Sequence, residues 1–319
     1  MRRLGHAMPI VFWWLLPWAR QTASMSSYDA TVCNQKTYTS PSDKFIYVPN
    51  AWNPNDQGFQ CMSVRTSPPA FDATWRWPSV GDTVHSYPHV KFPSEHIPIA
   101  LSKITALHLS AQWSMGPGSD PIPVPSVNTE GLESLDVRAN VAFDLFADRN
   151  AANAETETKA ETEIMIWLGT FGSPQPLGFN DNTSNRATIN LDGVDFTLYH
   201  GRNQRDTGVF TWIAAANTMK FSADVSPLLQ HLWRNGLVSA DSLVGVVGFG
   251  SEAFRSVENV TFSASDFGMQ LLTGEAPILP ASPTPSSRGI SVHRCPGSWP
   301  LSSGMTIFLG SVGAILYNL

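Results

Sequence analysis

The sequence predicts an all-β protein: a two-sheet antiparallel β-sandwich of the jelly-roll kind, with one α-helix. Three observations carry that expectation. Charged residues make up 14 % of the 319-residue chain, against roughly 25 % in an average soluble domain. With 11 Trp, 23 Gly and 24 Pro, this composition suits short strands joined by turns, with aromatic surfaces that stack on something flat. The informative segments have a period of two, and a single stretch has the punctuation of a helix.

The strands follow from alternation. In Val137 to Phe146, the residues Val137, Ala139, Val141, Phe143 and Leu145 fall on one face, opposite Arg138, Asn140, Ala142, Asp144 and Phe146. In the next strand Ile164, Ile166 and Leu168 share a face, and Glu161, Glu163, Met165 and Trp167 share the other. Leu243 to Phe249 and Val260 to Phe267 read as further strands. The helix is expected where Ser226 can cap, Pro227 fits the first position and Gly236 lies just past the end. Leu228, Leu229, Leu232 and Trp233 form its apolar stripe. Many strands and one helix give a sandwich.

Along the chain, residues 1–23 read as an export signal. Arg2 and Arg3 give a basic start, Pro9 to Leu16 a short apolar core, and Gln21-Thr22-Ala23 a small-residue cleavage end. Residues 24–274 are expected to form one domain, 275–288 a Pro/Ser/Thr-rich linker, and 289–319 a tail. Small residues followed by apolar Met305 to Tyr317 resemble a glycosylphosphatidylinositol anchor signal, with a poorly ordered tail as the alternative. The protein is expected to be secreted, with the cell surface as its place if the anchor holds. In an oxidising compartment Cys33 and Cys61 are expected to pair, leaving Cys295 over. Asn182 and Asn259 begin glycosylation sequons. The net charge of −6, without a dense Lys/Arg run, speaks against nucleic acid. Without H-x-H or H-E-x-x-H spacing no metal is expected, nor is any cofactor. The sequence shows no G-x-S-x-G of a serine hydrolase.

The chemistry sits on Glu161 to Gly169. A mixed polar face is ordinary for a solvated strand, but this face presents carboxylate, carboxylate, thioether and indole in turn. An indole two pleats from a carboxylate suits a sugar groove: the ring stacks on a pyranose and the carboxylate reaches the bond between rings. Cleavage with retention needs two carboxyls about 5 Å apart, so a second must come from another strand. Glu252, between small residues and with Phe254 on the same face, is the candidate, and Asp144 is the acid on the neighbouring strand. Glu252 is expected to titrate high because a nearby carboxylate disfavours its charge. Glu161 reads as a solvated strand-end charge. Trp75 and Trp77 fit core or cleft equally well, while His200 and His231 read as surface or packing residues.

Six stretches resemble glycoside hydrolase family 12, in the family's order and over about residues 30 to 270. They are Ala139 to Phe146, Glu163 to Gly172, Pro176-Leu177-Gly178, Thr197 to Asn203, Phe221 to Val225 and Gly250 to Phe254. The resemblance implies a jelly roll with a long, open, concave substrate cleft, and endo-acting, retaining cleavage of β-1,4-glucan without a metal. It places Glu163 as nucleophile, Glu252 as acid/base and Asp144 as helper. Asn140, Met165, Trp167 and Phe254 match cleft-lining positions, and Cys33 and Cys61 match a disulfide seen in fungal members. Trp52 matches a stacking platform on the non-reducing side, in altered surroundings: the family's N-N-L-W-G is here Asn50-Ala51-Trp52-Asn53. The Pro that follows the family's acid/base is Ala253 here. The Pro-rich stretch Gly116 to Leu132 is expected to be able to sit at the cleft edge. Xyloglucan is the first-choice substrate, plain or mixed-linkage glucan the second, and the expected state is a monomer. The reading from another class is a non-catalytic, lectin-like glucan binder.

Overall fold

The structure, a computed structural model, describes residues 27–52, 58–79, 81, 83–181 and 186–274. The expected export signal, the sequon at Asn182, the linker, the tail with its anchor signal, and Cys295 lie outside the described residues.

In chain order the strands are β1 (Ala30–Cys33), β2 (Tyr38–Thr39), β3 (Ile46–Val48), β4 (Phe59–Thr66), β5 (Pro69–Trp77), β6 (His89–Lys91), β7 (Ile99–Ala100), β8 (Ile104–Pro117), β9 (Ser126–Val127), β10 (Arg138–Asp148), β11 (Thr162–Phe171), β12 (Thr188–Leu191), β13 (Val194–Arg202), β14 (Gly208–Ala214), β15 (Lys220–Asp224), β16 (Leu243–Gly250) and β17 (Ala253–Thr273). The first sheet runs β1–β4–β5–β17–β8–β15, with β9 also beside β8. The second runs β2–β3–β6–β16–β10–β11–β14–β13–β12, with β7 against the start of β16. They meet at a corner, where Arg138 and Ala139 pair with Arg255 and Ala253.

The expected sandwich is present, with two departures from strict antiparallel pairing: β11–β14 and β8–β9 are parallel. The first has a topological cause. After β11 the chain crosses to the far edge of the sheet, and β12, β13 and β14 return inward, so β14 meets β11 in the same direction.

Alternation places the core as expected. Ala139, Val141, Phe143 and Leu145 of β10, and Ile164, Ile166 and Leu168 of β11, are buried between the sheets. Phe143 packs on Phe249 at 4.6 Å, Phe249 on Phe262 at 6.1 Å and Phe262 on Phe71 at 5.7 Å, an aromatic line from the second sheet to the first. Trp75 and Trp77 have no exposed surface, which decides for core over cleft. Cys33 and Cys61, paired across β1 and β4, form a disulfide.

The helices correct the sequence reading in two ways. The expected one, α3 below, spans Ser226–Arg234, but Ser226 is its first residue and Val225 holds the cap position without a side-chain bond. Asp224, at the end of β15, does the polar work instead: its carboxylate accepts the Ser226 N–H at 2.9 Å, the Ser226 hydroxyl at 3.0 Å and the Leu107 N–H at 2.9 Å. Gly236 takes φ +69° past the helix end, as expected. Two shorter helices precede it, α1 (Thr129–Ser134) and α2 (Ala151–Ala154), making this helix α3. Each of the two is capped by an Asn side chain, and at one turn or little more neither is long enough to show a helical period.

The Pro-rich stretch Gly116 to Leu132 is not at the cleft edge. It folds along the first sheet, where β9 pairs with Ser114 and Met115 and the Gly118 carbonyl accepts the Thr261 hydroxyl at 2.8 Å. Its place is fixed by this pairing with β8 and β17, which no local signal announces.

Candidate active site

The second sheet is concave on the side away from the core, and strand register sets what faces outward. Residues paired across neighbouring strands share a face. One row crosses Gly248, Asp144, Met165, Thr211 and Tyr199; the adjacent row crosses Val246, Phe146, Glu163, Val209 and Gly201. Glu163 and Asp144 therefore lie on adjacent strands, one pleat apart, over a floor that includes Met165 and Trp167. A cleft of about 690 Å³ runs over these rows. Trp52, Asp144, Glu163, Met165, Trp167, Glu252 and Phe254 all line it. Of the site residues expected from sequence, only Asn140 is absent from the walls: it is fully buried and lies behind Glu252.

Asn140 explains how Glu252 is held. Its side-chain oxygen accepts the Glu252 N–H at 3.1 Å, its side-chain nitrogen donates to Glu252 Oε2, and its backbone N–H donates to the Glu252 carbonyl at 3.1 Å. The Ser251 hydroxyl adds a bond to the Asn140 carbonyl at 2.6 Å. On the other side Ala253 donates its N–H to the Ser86 carbonyl at 2.9 Å. A proline there has no N–H to give, so the Ala253 departure adds an anchor. Gly250 completes the approach, since a Cβ there would come within 2.2 Å of the Pro88 carbonyl.

Three carboxyls in one cleft cannot all ionise freely. Burial raises Asp144 well above the ordinary carboxylate range, and the charges of Glu163, Glu252 and Glu157 add to it. Its Oδ1 has no hydrogen-bond partner among the described residues. Burial and the Glu252 charge push Glu163 up to about 8, against the pull of the Arg205 guanidinium. Burial pushes Glu252 up to about 7, against the Asn140 hydrogen bond. The high value expected for Glu252 is thus present, but its main cause is burial rather than a neighbouring carboxylate. Repulsion within the group is mutual, so charge on either glutamate raises the other.

Trp52 is 44 % exposed, and its backbone N–H donates to the His85 carbonyl at 3.1 Å. Trp167 donates its indole N–H to Met165 Sδ at 3.4 Å, so the two form one floor. Glu161 is exposed and pairs with Arg149 at 3.2 Å, the strand-end charge it was read to be. His200 stacks on Phe210 at 5.8 Å and His231 meets Trp212 edge-on at 5.5 Å, both in packing roles. In the second sequon Asn259 Nδ2 donates to Ser119 Oγ at 2.7 Å.

Sequence reasoning missed three residues that face the carboxyls. Tyr87 lines the cleft and donates its hydroxyl to the Ala142 carbonyl at 3.1 Å. Glu157, in the loop after α2, lies 2.6 Å from Lys91 Nζ and 3.3 Å from His89 Nε2. Burial pushes Glu157 up, but His89 and Lys91 outweigh it and hold the group down to about 2. Arg205 reaches the cleft from the turn between β13 and β14. All three sit on loops, where no periodicity marks the inward direction. Among the described residues no group of three or more His, Cys, Asp or Glu has the arrangement of a metal site.

Comparison with known proteins places this geometry. The family description "Glycosyl hydrolase family 12" matches residues 44–271. Xyloglucan-specific endo-beta-1,4-glucanase A of Emericella nidulans is 28 % identical over 238 residues, covering 73 % of this chain and 88 % of the relative. The probable enzyme of the same name from Aspergillus flavus is 29 % identical over 247 residues, covering 76 % and 91 %. Among solved structures, Trichoderma harzianum endoglucanase 3 superposes with a TM-score of 0.62 at 25 % identity, over 76 % of this chain and 97 % of that one. The Bacillus licheniformis family 12 xyloglucanase gives a TM-score of 0.59 at 20 % identity, over 76 % and 100 %, a likeness of fold.

Proposed function

The chain belongs to glycosyl hydrolase family 12 and is a glycoside hydrolase acting within glucan chains, and from that premise we propose that it cuts xyloglucan by double displacement, with Glu163 as nucleophile and Glu252 as acid and then base. The observation that carries the residue roles is the register itself: Glu163 and Asp144 stand one pleat apart on the concave face, and Glu252 is locked into the same cleft by Asn140. The xyloglucan preference rests on the names of the two fungal relatives.

In the first step a Glu163 oxygen bonds to the anomeric carbon as the glycosidic bond breaks, and the departing oxygen takes the Glu252 proton. In the second, water gives its oxygen to that carbon and a proton to Glu252, and Glu163 is released. This needs an anion at Glu163 and a proton on Glu252. Arg205 brings a full positive charge to Glu163, whereas Asn140 offers Glu252 only an amide dipole. That difference pulls toward the required arrangement, but burial outweighs it in the free protein, where Glu163 at about 8 holds its proton more tightly than Glu252 at about 7. Asp144, kept protonated by burial and its neighbours, has a hydrogen to donate toward the nucleophile. Trp52, Met165, Trp167 and Phe254 provide surfaces for the sugar rings. The Cys33–Cys61 disulfide accords with action outside the cell.

The test is reducing-sugar release from xyloglucan, mixed-linkage β-glucan and carboxymethylcellulose, with the anomeric form of the first product read by NMR. Release should be fastest on xyloglucan, retain the β-configuration and vanish in Glu163→Gln. Binding to glucan without release from any polymer would instead favour a lectin-like role.

A further inference from the structure

The loop that leaves β11 lies down on the concave face two strands beyond the catalytic carboxyls, and it carries an exposed aromatic ring. Leu177 sits on Gly201, where an added Cβ would come within 2.9 Å of the Leu177 Cβ. Gly201 belongs to the row of Glu163, and Tyr199 to the row of Asp144 and Met165. Phe179 stacks on Tyr199 with ring centroids 5.9 Å apart and planes 16° from parallel. Phe179 is nevertheless 44 % exposed, the same fraction as Trp52.

Its position is fixed rather than incidental. Arg186 places its guanidinium 4.2 Å from the Tyr199 ring centre. The same group donates to the carbonyls of Gly178 at 3.0 Å, Phe179 at 2.8 Å and Asp181 at 3.0 Å. The backbone under Phe179 is thus clamped, and Tyr199 backs its ring. Leu177, two residues earlier, is itself a wall of the catalytic cleft, so the platform is continuous with it. Trp52 lies at the other end, beside the Ser86–Ala253 bridge on the β6 side of the sheet.

We propose that Phe179, backed by Tyr199, is a stacking platform for a further glucosyl unit at the end of the cleft opposite Trp52. Two strand spacings put Tyr199 roughly 10 Å from Met165 along their shared row, beyond the sugars that touch the carboxyls. A pyranose presents a flat face of C–H groups, and an exposed ring held parallel to a second ring loses no rotamer freedom on receiving it. The assignment rests on the glucan-hydrolase reading, and the test separates the two.

Binding of cellotriose and cellohexaose is measured calorimetrically on full-length Glu163→Gln, and then with Phe179→Ala or Phe179→Trp added. Phe179→Ala is expected to weaken cellohexaose about fivefold and leave cellotriose unchanged, with Phe179→Trp restoring the affinity. An unchanged melting temperature in Phe179→Ala accompanies that result. Equal affinity for both sugars with and without Phe179 would overturn the platform while leaving the enzyme reading intact. Absence of binding to either sugar in Glu163→Gln itself would overturn the platform, and together with no release from any of the three polymers by the parent it would overturn the enzyme reading as well.

Discussion

Asn140 and Asp144 are neighbours on one strand with opposite tasks. Asn140 is fully satisfied and fixes Glu252, while Asp144 has an oxygen with no partner among the described residues and a carboxyl held well above its ordinary range. A buried polar group left unpaired costs about 1–3 kcal/mol, so an unpaired oxygen on a residue that lines the cleft points to use. If Asp144 donates its hydrogen toward the Glu163 anion, an Asn at that position keeps a donor and an Ala removes it. A hydrogen bond to a charged group contributes roughly 1.5–3 kcal/mol, about ten- to a hundredfold in rate. We expect Asp144→Asn to retain more kcat/KM than Asp144→Ala by about that factor. Equal losses in the two variants would mean that Asp144 acts only through its volume.

Among the elements, the turn between β13 and β14 deserves a variant of its own. Asn203 Oδ1 accepts the N–H groups of Arg205 at 2.9 Å and Thr207 at 3.1 Å, and the Gly208 N–H reaches the Glu161 carbonyl at 2.9 Å. The turn is thereby tied to the residue two before Glu163, and it brings Arg205 to the cleft. Arg205 lowers the affinity of Glu163 for its proton. Removing it lets Glu163 keep that proton to higher pH, so the acidic limb of the kcat/KM profile in Arg205→Gln should move upward. Arg205→Lys should restore most of the shift, and added salt should narrow the difference, because Arg205 is exposed. An unmoved acidic limb would remove Arg205 from the nucleophile's surroundings. The same turn marks the border of what sequence could reveal. The strand faces bearing Asp144, Glu163, Met165 and Trp167 were legible, because a two-residue period fixes a face once the core side is known. Glu252 was picked out by its small neighbours and Phe254, and the motif resemblance implied its role and added Asn140 and Trp52 as cleft positions. Arg205, Tyr87 and Glu157 were not legible, since each stands on a loop whose aim is set by pairings distant in the chain. The helix was legible from its stripe and its Gly236, but Asp224 took the role assigned to Ser226 because β15 ends two residues earlier. The parallel β11–β14 pair likewise depends on a crossover that strand patterns do not encode.

Over the whole molecule the cleft carboxyls set how stability responds to pH. Glu163 and Glu252 are raised to about 8 and about 7 in the folded protein, against about 4.3 for an unfolded glutamate. Between those limits the folded state holds more protons than the unfolded one, so stability falls as pH rises. Glu157 has the opposite sign: held at about 2, it stabilises above its unfolded value, and that contribution is lost as pH falls from about 4 toward 2. The two trends place maximal stability in mildly acidic solution. Neutralising one member of the crowded cleft should therefore help the fold where it harms catalysis. We expect Glu163→Gln to melt at a higher temperature than the parent at pH 8, by on the order of 4 kcal/mol of stability. At pH 4 the carboxyl is already protonated in the folded state and nearly so in the unfolded one, so the two proteins should melt almost together. Glu157→Gln should do the reverse, losing stability at pH 7 and converging with the parent near pH 2. Calorimetric melting of the three proteins from pH 2 to pH 8 checks both signs at once. A Glu163→Gln variant no more stable than the parent at pH 8 would show that the folded protein accommodates the Glu163 charge without strain, and neither burial nor the Glu252 charge could then be what holds the Glu163 proton.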